Sequence, residues 1–311
     1  VVFRPASTEV GLTVWDLQTN AVASLSLQLS DFEYLNPSPF NLSYQRDRDL
    51  LIWLDSSHLL LRYFNDPAND FDKAVYKKKK FSINESPLSI NEAAEEVIVY
   101  PNLPIPNGNK YPAIEFSPDH RYATRISYQS IYGHVEILPG LQIYDIQLTP
   151  NLVYDTIPTA ESYPNTLPIW MPDGNTAFIL FRSLDYRSRS ILELHSNEDF
   201  REDLSLQQTL NDTFGTKVLP GGMDPAVSPS GQHIIFSAYV PTTEKNYFVR
   251  YTPSTKQITA ICDTESLGTG NESYFFWVPG ERYFAFWTTS DVHVISLEDG
   301  TRFTLPSNYF S

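Results

Sequence analysis

Tyrosine and arginine are concentrated in three stretches of this sequence: YQSIYGHVEILPGL from Tyr128, RSLDYRSRS from Arg182, and the segment around Tyr239. Both side chains combine a broad contact surface with hydrogen-bonding groups, and both anchor protein–protein interfaces. Tyr132, Arg182, Tyr186, Arg187 and Tyr239 are therefore the candidate partner-binding residues.

Reactive chemistry has fewer carriers. The chain contains no Gly-x-Ser-x-Gly elbow, so it lacks the nucleophile turn of an α/β-hydrolase, and no catalytic residue is assigned. His58, His120, His134, His195, His233 and His293 never show the short spacing of a ligand pair, so neither a metal nor a cofactor is expected. DPANDFD, Asp66 to Asp72, alternates carboxylates but lacks the glycine and closing glutamate of a calcium loop. It reads as a polar turn. Cys262 is the only cysteine, which excludes intrachain disulfides and multi-cysteine zinc sites. Its setting, QITAICD, is that of a buried structural thiol. The run Lys77–Lys80 lies in a strand phrase, where lysines on an outer edge would block edge-to-edge pairing.

The 311 residues are 41% hydrophobic and 14% aromatic, enough for a packed core rather than general disorder. No apolar run approaches the roughly 20 residues that span a bilayer. The net charge of −15 argues against a sequence-independent binder of nucleic acid or anionic membrane, which needs a basic face.

The elements that must position these residues are written as a repeat. IEFSPDHRYATRIS from Ile114, PIWMPDGNTAFILF from Pro168, PAVSPSGQHIIFSAY from Pro225 and YFFWVPGERYFAFW from Tyr274 share one form. Each is a strand, a Pro-bearing tight turn and a second strand. FNLSYQRDRDLLIWLD from Phe40 is a degenerate copy. A second phrase, a strand–polar turn–strand, follows each first one, as in GLTVWDLQTNAVASLSL from Gly11 and DVHVISLEDGTRFTL from Asp291. Four antiparallel strands in roughly 40 to 55 residues make a propeller blade. The fold class read from the sequence is an all-β propeller, residues 1–311 as one domain, with an inserted loop at about 84–111. Six blades are expected, with seven as the alternative if that insertion hides a degenerate blade. INEAAEEV, Ile90 to Val97, and FREDLSLQQTL, Phe200 to Leu210, read as helical insertions. VVFRP at the start matches a second strand, so Pro306–Ser311 is expected to complete the first blade.

The Ser-Pro-Asp-Gly type of turn after an aromatic residue, followed by strands such as LTVWDLQTN, resembles the TolB-like, WD-type β-propellers. That resemblance implies an exported bacterial protein, periplasmic or on the cell surface, that binds protein partners. Membrane contact would come only through a lipid anchor outside this chain, and the start at Val1 is expected to reflect either a removed leader or a fragment. The function read from the sequence is a non-enzymatic scaffold within a cell-envelope assembly. The alternatives are a propeller enzyme acting on polysaccharide, or the propeller part of a larger peptidase or multisubunit assembly.

Overall fold

A computed structural model describes residues 2–3, 11–16, 19, 21–26, 51–53, 57–65, 75–99, 114–119, 121–130, 137–147, 151–156, 159, 162–164, 168–183, 189–220, 225–264, 275–287 and 291–306. Among them the chain forms six antiparallel sheets. The first contains β1 (Val2–Phe3), β2 (Gly11–Trp15) and β3 (Val22–Ser26). The second runs β4 (Leu51–Trp53), β5 (His58–Asn65), β6 (Val75–Glu85) and β7 (Leu88–Val99). The third is β8 (Ile114–Phe116), β9 (Tyr122–Ser130), β10 (Ile137–Asp145) and β11 (Asn151–Asp155).

The fourth has its innermost strand in two pieces, β12 (Tyr163–Pro164) and β13 (Ile169–Trp170), both paired to β14 (Thr176–Arg182). It continues through β15 (Arg189–His195) and β16 (Arg201–Asp203), and α1 (Ser205–Phe214) follows. The fifth repeats the split, with β17 (Leu219–Pro220) and β18 (Ala226–Val227) both on β19 (Ile234–Val240), then β20 (Lys245–Thr252) and β21 (Gln257–Asp263). The sixth is β22 (Phe275–Trp277), β23 (Tyr283–Trp287), β24 (Asp291–Ser296) and β25 (Arg302–Pro306). Two compact units emerge, Val1–Asn102 with Glu272–Ser311, and Leu103–Asn271.

One turn recurs because one hydrogen-bond pattern recurs. Ser117, Met171, Ser228 and Val278 each donate a backbone N–H to the carbonyl five residues on, at Tyr122, Thr176, His233 and Tyr283. Gly174 and Gly231 donate back to Met171 and Ser228, with φ of 69° and 72°. The Asp173 carboxylate accepts from the Asn175 N–H at 2.9 Å, fixing the turn locally. In the second unit these turns nest. A Cβ on Gly174 would lie 2.9 Å from Cγ of Asp119 in the preceding turn, and one on Gly231 would lie 3.1 Å from Cδ of Pro172.

The apolar strands explain the core of that unit. Successive residues of a strand point to opposite faces, and β14 is buried on both. Phe178 and Leu180 join Ile234, Phe236, Val249 and Tyr251 of the fifth sheet, with Leu206 and Leu210 of α1. Ala177 and Ile179 join Tyr122, Leu141 and Ile143 of the third sheet. Tyr122 stacks on Trp170 at 5.6 Å and meets Phe200 edge-on at 5.0 Å.

The second sheet departs from the sequence reading. Residues 88–99 form a strand paired along β6, not a helix, so residues 84–99 of the expected insertion complete this sheet rather than looping out of it or forming a blade of their own. The alanines and glutamates favour a helix locally, but the ladder and the burial of Ile90 override that propensity. β6 is paired on both sides, so the lysine run occupies an interior strand and not the outer edge. There Lys78 stands opposite Glu96 and Lys79 opposite Glu95 in register. In the other region read as helical, the helix begins only at Ser205, because Arg201–Asp203 pair with β15. Residues 307–311, on which the expected completion of the first blade depends, lie outside the described residues, as do residues 66–72.

Two outcomes follow for stability. Gly174→Val combines positive φ with a contact against Asp119 and should destabilise by about 2 kcal/mol or more in chemical denaturation. Adding Asp119→Ala should recover part of that loss, whereas additive effects would show that the two turns do not press on one another. In the sixth sheet His293 is buried, its ring 4.9 Å from that of Phe286 and its Nδ1 3.1 Å from the Thr304 hydroxyl. Burial, aided by Arg302, holds its pKa below 6.5. The unfolded chain then binds the proton first, so stability should fall as pH drops below about 6.5 and level off beneath the folded pKa. His293→Gln should remove up to roughly one proton from that slope; an unchanged slope would assign it to other groups.

Candidate functional site

Two of the five candidate binding residues are described. Arg182 ends β14 and Tyr239 lies next to the end of β19, each the same distance along the chain from its turn glycine, Gly174 or Gly231. They hold equivalent positions: Arg182 is opposite Tyr163 on the innermost strand and Tyr239 is opposite Leu219. Both are half-buried, and the Arg182 guanidinium lies over the Tyr163 ring at 5.2 Å, a cation–π contact that orders the arginine. These residues therefore stand at the strand ends away from the Pro-bearing turns. Tyr132, Tyr186 and Arg187 lie outside the described residues.

A second constellation was not foreseen. Glu193 and His195 are two apart on β15 and share a face, and Asp203 on β16 stands directly opposite Glu193. Glu193 is only 4% exposed. Each of the two carboxylates has one oxygen engaged, and the histidine faces a hydroxyl. The Tyr251 hydroxyl, from the fifth sheet, donates to Oε1 of Glu193 at 3.1 Å. The Thr176 hydroxyl lies 3.5 Å from Nδ1 of His195. The Ser205 N–H donates to Oδ1 of Asp203 at 2.7 Å. The remaining atoms converge: His195 Nε2 is 3.5 Å from Oε2 of Glu193 and 3.8 Å from Oδ2 of Asp203. All three lie within 4.8 Å of one another.

The electrostatics of the two carboxylates diverge. Burial pushes the Glu193 carboxyl above the usual range, although Tyr251 and His195 oppose the shift. The Ser205 N–H holds Asp203 below its usual range. Burial, with Glu193 beside it, raises the Tyr251 phenol. Lys256 adds positive potential that favours the ionised form of both carboxylates. A buried acid beside a half-buried one, with their pKa values pushed apart, suits proton exchange or cation binding.

The search for paired histidines missed this cluster because its ligand-type residues are of mixed kind. A usable signal lay in ILELH: Leu192 and Leu194 join the core against the third sheet, while Ile191 joins the core against the fifth. Glu193 thus interrupts a face that should be apolar, and a charge in a strand buried on both sides needs a partner.

No protein-family model and no curated protein matches the chain. Solved structures match it in fold. An oligogalacturonate lyase from Vibrio parahaemolyticus aligns at TM-score 0.54 and 11% identity, covering 98% of this chain and 86% of that one. The periplasmic gluconolactonase of Pseudomonas aeruginosa aligns at 0.41 and 12%, over 98% and 94%. TolB from Acinetobacter baumannii aligns at 0.43 and 13%, over 98% and 78%. With mostly antiparallel strands and few helices among the described residues, the chain is a β-propeller. Among the described residues no helix is long and apolar enough to cross a membrane.

Tyr251→Phe keeps the ring in the core but removes the bond to Glu193. It should cost about 2 kcal/mol in chemical denaturation, since a hydrogen bond to a charged group is lost inside the protein. The same change made in Glu193→Gln should cost less; equal costs would mean that the two groups are not coupled.

Proposed function

We propose that the protein is a non-enzymatic, TolB-like binding scaffold, exported to the periplasm or cell surface, that docks a protein partner through the strand ends and loops carrying Tyr132, Arg182, Tyr186, Arg187 and Tyr239. The observation that carries this reading is the equivalence of Arg182 and Tyr239. Neighbouring sheets with tightly packed cores present an arginine and a tyrosine at the same height, both partly open to solvent. Function on a rigid scaffold concentrates in such connecting ends, and these two residue types dominate interface energetics. The net charge of −15 favours a partner with a basic surface, through steering and complementarity. The repeated turns at the other end serve folding.

The test uses capture from the envelope fraction of the source cells, identification of the retained protein, and titration of that protein in purified form. Arg182→Ala/Tyr239→Ala should bind about thirtyfold more weakly, while Asp173→Ala and a charge-swapped Lys77–Lys80 variant should bind as the wild type. Loss of the partner with the turn or lysine variant instead would overturn the choice of face. Release of unsaturated products from oligogalacturonate by the wild type would replace the scaffold reading with that of a polysaccharide-processing enzyme.

A further inference from the structure

We propose that Glu193, His195 and Asp203 form a binding site for one divalent cation of the zinc class at the junction of the fourth and fifth sheets. The inference stands apart from the scaffold reading, and partner binding is not used to test it.

The first ground is the direction of the free heteroatoms. Oε2 of Glu193, Nε2 of His195 and Oδ2 of Asp203 converge, the far oxygen of each carboxylate is held by Tyr251 or Ser205, and Nδ1 of His195 faces the Thr176 hydroxyl. A metal-binding histidine and its companion carboxylates are oriented in this way by contacts to their far atoms.

The second ground is distance. The Nε2–Oε2 and Nε2–Oδ2 separations are 3.5 and 3.8 Å. Both exceed the roughly 2.7–3.2 Å of an N–H···O hydrogen bond. They approach the separation of about 3.4 Å between two ligands bound tetrahedrally at about 2.1 Å. Nε2 is shielded from solvent and has no hydrogen-bond partner, a costly state for a buried ring nitrogen.

The third ground is charge. Glu193 and Asp203 sit directly across the ladder from one another, where like charges repel. Lys256 bears on both, but its side chain is exposed and its effect is screened. Arg201, opposite His195, is engaged by Glu198 at 2.9 Å. A cation between the carboxylates offsets their repulsion more fully than the exposed Lys256 does. One imidazole nitrogen with two carboxylate oxygens suits zinc better than calcium, which takes six or more oxygens.

The experiment strips the protein with a chelator, then titrates it with zinc and, separately, with calcium. The readouts are metal content by mass spectrometry and the melting temperature. One zinc per chain and a melting temperature raised by zinc but not by calcium are expected, with stoichiometric zinc lost in His195→Ala and in Asp203→Asn. Absence of stoichiometric zinc in the wild type, retention of zinc by His195→Ala, or stabilisation by calcium alone would overturn the proposal. If the variants fail to fold, X-ray absorption at the zinc edge of the wild type decides. Nitrogen and oxygen ligands at about 2.0–2.2 Å support the site, and a sulfur ligand at about 2.3 Å, which would implicate Cys262, rules it out.

Discussion

A propeller blade packed between two neighbours has no solvent face along its middle strands, and the organisation of the second unit follows from that. β14 sends Ala177 and Ile179 into one core and Phe178 and Leu180 into the other. Each of the three larger side chains contributes about 1.5–3 kcal/mol when buried, so a strand that alternates between two cores is favoured on both faces. The strand then loses the usual apolar–polar alternation and reads as a continuous apolar run. Polar function is pushed to the strand ends, where one element stops and the next begins.

The turns at one of those ends are constrained just as tightly. Gly174 closes on Asp119 and Gly231 on Pro172, so consecutive turns fix one another and leave little room for a functional side chain. The opposite ends carry no such interlock in the described residues, and there Arg182 and Tyr239 take equivalent places. The asymmetry is physical. A turn pressed against its neighbour needs small residues and positive φ, whereas Arg182 and Tyr239 stand on the strands themselves, where bulky, amphipathic side chains fit.

What could be read from the sequence followed the same division. The strand–turn–strand phrases and the propeller class rest on local turn chemistry and period-two burial, both written in adjacent residues. The strand at Leu88–Val99 was missed because Ala93 to Glu96 carry helical propensity, while the partner that makes them a strand is β6, with Lys77–Lys80 opposite. Long-range pairing decided the outcome there. The Glu193 cluster was hidden for a related reason. Asp203 is brought to Glu193 by a hairpin and Tyr251 by the next sheet, and no short-range spacing records either meeting.

That cluster also shows how a buried charge can be kept in a fold built from apolar layers. Two unit charges about 4 Å apart interact by about 4 kcal/mol at an effective dielectric of 20, comparable with the burial of one or two large side chains. Glu193 and Asp203 are therefore tolerable only if the repulsion is removed where it arises. The Tyr251 hydroxyl and the Ser205 N–H each satisfy one oxygen, and His195 stands between the other two. Because Tyr251 also fills the core shared by the fourth and fifth sheets, the state of charge at the cluster and the packing of the two sheets are linked through one side chain. A positive species held by the three ligating atoms would stabilise the ionised carboxylates and, through Glu193 and Tyr251, the apolar junction beside them.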